Sequence, residues 1–167
     1  MRLFVAIEFP PEIKDALSAA IVSLKSQGVS ANFTRRENMH LTLAFIGETH
    51  RLAEAKAALD TVKARPFRVA LGGSGAFGDL LWAGLRREPD LDFLAAKVRE
   101  ALNAAAFALD PKPFRPHITL ARRAVCEGKP RLELPAVSAP VTEFVLMRSD
   151  RVDGRLVYTP VFRKALG

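Results

Sequence analysis

"HLTLAF", residues 40–45, alternates polar and apolar side chains, and "HITLAR", residues 117–122, repeats the phrase 77 positions later. Alternation at period two marks a strand buried on one face. Leu41 with Leu43, and Ile118 with Leu120, form the core-facing sets. His40 and Thr42 therefore share one face of the first strand, and His117 and Thr119 share one face of the second. The chain has three histidines and seven threonines among its 167 residues. Composition alone would give two of three histidines a Thr at the second following position with a probability of roughly 0.005. Two strands of one design point to a sheet protein with two similar lobes, the outcome of an ancient duplication.

The segments around these phrases agree. "RLFVAIEF" (2–9) is β-rich and stops at Pro10-Pro11. Ile13, Leu17, Ala20, Ile21 and Leu24 recur at helical spacing, so a helix runs from Pro11 to about Gln27 and ends at Gly28. The first His strand covers 39–47, and a second helical pattern covers 51–63, before Pro66. "PFRVALGG" (66–73) and "LLWAGLRR" (80–87) form two strands joined through "GGSGAFGD". Leu91, Leu94, Val98, Leu102 and Ala105 define a third helix from Asp90 to Ala108. "PKPFRPHITLARR" (111–123) is a proline-stiffened entry into the second His strand. The charge-rich "CEGKPRLE" (126–133) is an exposed loop, and 142–163 form a hairpin turning at Asp153-Gly154. The expected fold is α+β, a single domain over 1–167 with two similar lobes and largely antiparallel sheets.

Composition narrows the functions. About half of the chain is hydrophobic, and no apolar run approaches the roughly 18 residues of a membrane-spanning helix. The apolar stretch in "MRLFVAIEFP" is too short for a signal peptide. Cys126 is the only cysteine, so no intrachain disulfide forms, and a reducing cytoplasm is expected. The net charge of +7 steers polyanions toward the surface.

Two imidazoles facing each other across a cleft suit displacement at phosphorus. The neutral one takes a proton from the attacking water, and the protonated one gives a proton to the leaving oxygen. Thr42 and Thr119 are placed to donate to the non-bridging oxygens, and Arg122 to neutralise the charge that builds there. Neither phrase has the neighbouring carboxylates or cysteines that would complete a metal site, so no metal is expected. Arg35, before the first phrase, and Arg115, before the second, are candidate RNA contacts. Arg148 and Ser149 follow the apolar "FVLM" toward the cleft, and Tyr158 is either core or cleft wall. Trp82 is read as core and His50 as surface.

The doubled His-x-Thr pattern, with "RLFVAIEFP", "LLWAGL" and "FRPHITLAR", resembles the two-histidine phosphoesterase superfamily, and within it the RNA 2′,3′-cyclic phosphodiesterases, also called 2′-5′ RNA ligases. The likeness runs from Arg2 to about Tyr158. It implies a pseudo-twofold bilobal α+β fold, its largely antiparallel sheets lining a central cleft with helices on the outside, and hydrolysis of terminal 2′,3′-cyclic phosphates on RNA to 2′-phosphates, without metal or other cofactor. It also implies that His40 is the proton donor to the departing 3′ oxygen, His117 the proton acceptor from water, and Arg122 the stabiliser of the transition state. Phe45 would stack on the terminal base. The expected partners are RNA ends or nucleotide cyclic phosphates, with no membrane and no obligatory protein partner, and the protein is expected to be a monomer. Competing functions are a small-nucleotide cyclic phosphodiesterase, reversible 2′-5′ RNA end joining, and a non-catalytic RNA-binding module. Phe45 and Arg122 lie five residues after their histidines, an odd offset that would turn them from the cleft. Each strand is therefore expected to bulge, twist or end just after its threonine.

Overall fold

A computed structural model describes residues 1–167. In chain order the elements are β1 (Arg2–Glu8), α1 (Pro11–Ser26), β2 (Ser30–Phe33), a 3₁₀ turn (Arg36–Asn38), β3 (His40–Glu48), α2 (Leu52–Asp60), β4 (Phe67–Phe77), β5 (Leu80–Leu85), α3 (Pro89–Ala104), β6 (Ile118–Val125), β7 (Ser138–Val141), β8 (Glu143–Val152) and β9 (Arg155–Ala165). Every strand pairing is antiparallel. One sheet has the order β3-β1-β8-β9 and the other β2-β6-β5-β4-β7. Strand for strand, β3-β1-β8-β9 corresponds to β6-β5-β4-β7, with β2 added beyond β6. Each His strand is thus separated by a helix from the strand it pairs with, α1 in one lobe and α3 in the other. The α+β fold, its antiparallel sheets and its two-lobed plan are as the sequence led us to expect.

The helices bind the lobes together. α1 follows β1 of the first sheet yet packs against β6 and β7 of the second, and α3 packs against β3 and β4. The buried stripe of α1, with Ile13, Ala16, Leu17, Ala20, Ile21 and Leu24, is the face read from the sequence. One continuous core of 35 buried residues takes side chains from both sheets and all three helices. Burial of a large aliphatic or aromatic side chain there contributes roughly 1.5–3 kcal/mol.

β1 is buried on both faces, which explains its unbroken apolar run. Leu3, Val5 and Ile7 join the main core. Phe4 and Ala6 face the other way and pack with Val145 and Met147, with Tyr158 against them. That second face of the sheet is the floor on which the functional residues stand.

Three local expectations need correction. "GGSGAF" is not part of a turn. It continues β4 with a bulge between Leu71 and Ser74, and only Gly78 and Asp79 make the turn. Gly73, at φ +74°, supplies the left-handed residue the bulge needs. α3 stops at Ala104 rather than Ala108 because Ala106 adopts φ +62° and Phe107 N–H turns back to the Leu102 carbonyl. The short strands β2 and β7 went unrecognised, since four-residue segments carry too little alternation to register.

Candidate active site

The two His strands carry the same irregularity at the same place. Along β1–β3, Val5 pairs with Ala44 and Ala6 with Thr42, leaving Leu43 as an extra residue. Along β5–β6, Leu81 pairs with Ala121 and Trp82 with Thr119, leaving Leu120 extra. Each is a β-bulge three residues after the histidine, and it lets two successive residues face the core. Leu43 and Ala44 are both buried, as are Leu120 and Ala121. The next residue in each strand then returns to the histidine's side. Phe45 is 47% exposed and lies opposite Phe4 of the cleft floor. Arg122 is likewise exposed.

The imidazoles are oriented by one device used twice. His40 Nδ1 lies 2.6 Å from the Asn38 carbonyl, and His117 Nδ1 lies 2.7 Å from the Arg115 carbonyl. A carbonyl only accepts, so each Nδ1 carries the proton and donates it to the main chain two residues earlier. The catalytically useful Nε2 of each ring is left for the cleft. His40 Nε2 is 3.0 Å from Thr42 Oγ1, so the neutral ring accepts from the threonine hydroxyl.

Aromatic rings hold both imidazoles. Phe4 lies 5.0 Å and Tyr158 5.3 Å from His40, Tyr158 edge-on. Phe77 lies 5.1 Å from His117, edge-on, and Trp82 lies 6.5 Å away. Partial burial of His40 pushes its pKa below the ordinary value, and the charges of Arg122 and His117 push it the same way, while the Asn38 hydrogen bond and Glu8 act against them. In the unliganded protein His40 therefore favours the neutral form. These influences also mean that the two lobes bring His117 and Arg122 within electrostatic reach of His40.

Residues 9–153 match the 2′-5′ RNA ligase superfamily. The chain belongs to that superfamily. Its relatives within the superfamily include the RNA 2′,3′-cyclic phosphodiesterase of Escherichia coli K12, 34% identical over 99% of this chain and 96% of that protein. The namesake from Geobacillus stearothermophilus is 35% identical over 88% of this chain, which spans 52% of that longer protein. Among solved superfamily structures, the apo form of E. coli LigT gives a TM-score of 0.86 at 30% identity, covering 99% of this chain and 96% of that one. LigT complexed with 3′-AMP gives 0.85, also at 30% identity, over the same shares of the two chains.

Beyond the central cluster, the expected superfamily contacts divide. Tyr158 is cleft wall, and Ser149, its cross-strand partner, shares its face. Arg115 is exposed and contributes its carbonyl to His117. Arg35 is not free for RNA: its guanidinium donates to the Leu156 carbonyl at 2.6 Å and pairs with Glu37 at 3.4 Å. Arg148 does not join the cleft. It stands opposite Leu3, on the core side of β1, and pairs with Asp150 at 3.0 Å. The reason is parity, because Met147 and Ser149 take the cleft face and the residue between them cannot. A concavity of about 780 Å³ between α3 and residues 109–114 contains no histidine. No three His, Cys, Asp or Glu side chains cluster as metal ligands.

Sequence reasoning missed Asn38, Phe4, Phe77 and Trp82. Asn38 is the one polar residue among the buried set. Its side chain donates to the Leu156 carbonyl at 3.1 Å, which anchors the turn whose carbonyl orients His40. Phe4 was legible, since it alternates with Leu3 and Val5. Trp82 was read as core, but it is half-buried beside His117, and its cross-strand neighbour Gly75 explains how. A Cβ at Gly75 would come within 2.3 Å of the Trp82 ring, so the indole lies flat on bare backbone. Gly75→Ala is expected to lift the ring from beneath His117, destabilise the fold by about 1–3 kcal/mol, and lower turnover. A melt and a rate indistinguishable from the parent protein would show that the indole needs no such clearance.

Proposed function

We propose that the protein hydrolyses terminal 2′,3′-cyclic phosphates on RNA, leaving a 2′-phosphate and a free 3′-hydroxyl. The observation that carries this reading is the pair of imidazoles, each fixed at Nδ1 by the carbonyl two residues before it. Binding alone calls for cations, whereas two oriented Nε2 atoms equip the cleft for proton transfer in both directions. The names of the relatives support the same reading.

In this mechanism the cyclic phosphate sits between the lobes, with Thr42 and Thr119 donating to its non-bridging oxygens. Water attacks phosphorus as His117 Nε2 takes its proton. The P–O3′ bond breaks, and His40 Nε2 gives its proton to O3′. Arg122 stabilises the charge on the equatorial oxygens, and Phe45 stacks on the terminal base. His40 is neutral in the resting protein, so it acquires its proton with the substrate. Burial and the charge of Arg122 hold its pKa down, and the phosphate anion offsets that charge. The protons balance over one cycle, one taken by His117 and one released by His40, and solvent exchange resets the pair. We further propose that the chain acts as one domain, as a monomer, in the cytoplasm. The single free cysteine and the continuous core support this, and no helix is long and apolar enough to cross a membrane.

The test is incubation of an RNA oligonucleotide ending in a 2′,3′-cyclic phosphate with the protein in EDTA, followed by phosphorus NMR of the product. A 2′-phosphomonoester is expected at a rate unaffected by the chelator. No conversion, or a 3′-phosphate product, would sink the proposal.

A further inference from the structure

The cleft floor carries a second cation that the mechanism does not use. Arg2 lies on the same face of β1 as Phe4, because the β1–β8 register runs without interruption from Arg2 to Ala6 and alternate residues share a face. Its guanidinium sits 4.9 Å from the centre of the Phe45 ring, a cation–π contact that fixes both side chains. No carboxylate pairs with it. Its cross-strand neighbour Glu48 turns instead to the Met1 amino group at 3.4 Å. On its other side stands Ser149 of β8, directly opposite in register and on the same face.

This arrangement differs from those of the neighbouring arginines. Arg35 is held by Leu156 and Glu37, Arg148 by Asp150, and Arg163 by Glu8 and Glu143. Arg2 is left exposed with its charge unmet, its guanidinium over the ring proposed to hold the terminal base. Ala6, the partner of Thr42, marks the level of the reacting phosphate, and Arg2 lies four residues further along β1, about 13 Å away. That separation is spanned by one nucleoside together with the reach of an arginine side chain.

We propose that Arg2, with the Ser149 hydroxyl beside it, binds the phosphate on the 5′ side of the terminal nucleotide. The proposal rests on the cyclic-phosphate reading above and deepens it. The cleft then grips a nucleotide at both ends, the cyclic phosphate between the histidines and the 5′ phosphate at Arg2, with the base on Phe45 between them. A guanidinium can meet a phosphate through two parallel N–H donors while its flat face stays on the aromatic ring. The preferred substrate class is therefore a nucleotide that is phosphorylated on its 5′ side, as every RNA 3′ end is, over a bare nucleoside 2′,3′-cyclic phosphate.

Two small substrates separate these ideas, a nucleoside 2′,3′-cyclic phosphate with a 5′-hydroxyl and the same compound with a 5′-phosphate. The parent protein should favour the 5′-phosphorylated compound by about tenfold in kcat/KM, mainly through KM, with the preference shrinking as salt is added. In Arg2→Gln the ratio between the two substrates should fall close to one. A ratio in Arg2→Gln equal to that of the parent would overturn the assignment of Arg2. Equal use of both compounds by the parent would remove the subsite while leaving the cyclic-phosphate chemistry intact. If the parent turns over neither compound nor the RNA oligonucleotide, the function itself is wrong and the subsite falls with it.

Discussion

Replacing either His40 or His117 with alanine is expected to lower kcat by about 10²–10⁴, with little change in substrate affinity. The double variant should lose hardly more than the worse single variant, because acid and base act in one transition state. The two rings are so alike in placement that loss of rate does not tell acid from base. A substrate with sulfur in place of the bridging 3′ oxygen does. A thiolate leaves readily without a proton, since thiols ionise at roughly pH 8.5. His40→Ala should therefore recover most of its activity on the sulfur substrate, while His117→Ala should stay impaired. Recovery in His117→Ala alone would exchange the two roles, and near-parent activity of either alanine variant on the natural substrate would end the paired mechanism.

The second large effect is expected at Arg122. Arg122→Gln removes the guanidinium that the bulge at Leu120 returns to the cleft, and kcat should fall by about 10²–10³, the range for loss of one donor at a developing oxyanion. The same change should be visible without substrate. Arg122 lowers the His40 pKa by its charge, so removing it must raise that pKa, and His40 should hold its proton to higher pH in a histidine NMR titration. A variant with impaired kcat and an unmoved His40 titration would mean that the two groups do not face each other in solution. An unchanged kcat would exclude Arg122 from the transition state.

These expectations depend on a detail that was half legible in the sequence. Strict alternation predicts that residues 45 and 122 point away from their histidines, and the odd offset made an irregularity necessary if either was to work. The structure supplies it as paired bulges at Leu43 and Leu120. The shared "LA" of the two phrases is the visible trace, two consecutive apolar residues where a regular strand would have only one. By contrast, nothing local marked Arg35 as a brace or Arg148 as off-face. Arg35 is engaged by a carbonyl 121 residues away, and Arg148 is turned aside by the pairing of β8 with β1. Glycines 73 and 75 misled for the same reason, since a glycine in sequence signals a turn as readily as it does a bulge or a clearance for an indole.

By itself, then, the sequence determined the chemistry on offer. Periodicity placed a histidine and a threonine on one face of each of two strands, and composition added the basic charge. Those are local properties, set by the alternation of side chains along an extended backbone. Only the tertiary structure decided how that chemistry is assembled. It joined the two strands across a common core, gave each imidazole its main-chain acceptor and aromatic wall, and buried His40 enough to favour its neutral form. It also sorted the arginines into braces, such as Arg35, and free cations, such as Arg122 and Arg2. That sorting depends on which groups meet from distant parts of the chain, and sequence patterns at short range carry no record of it.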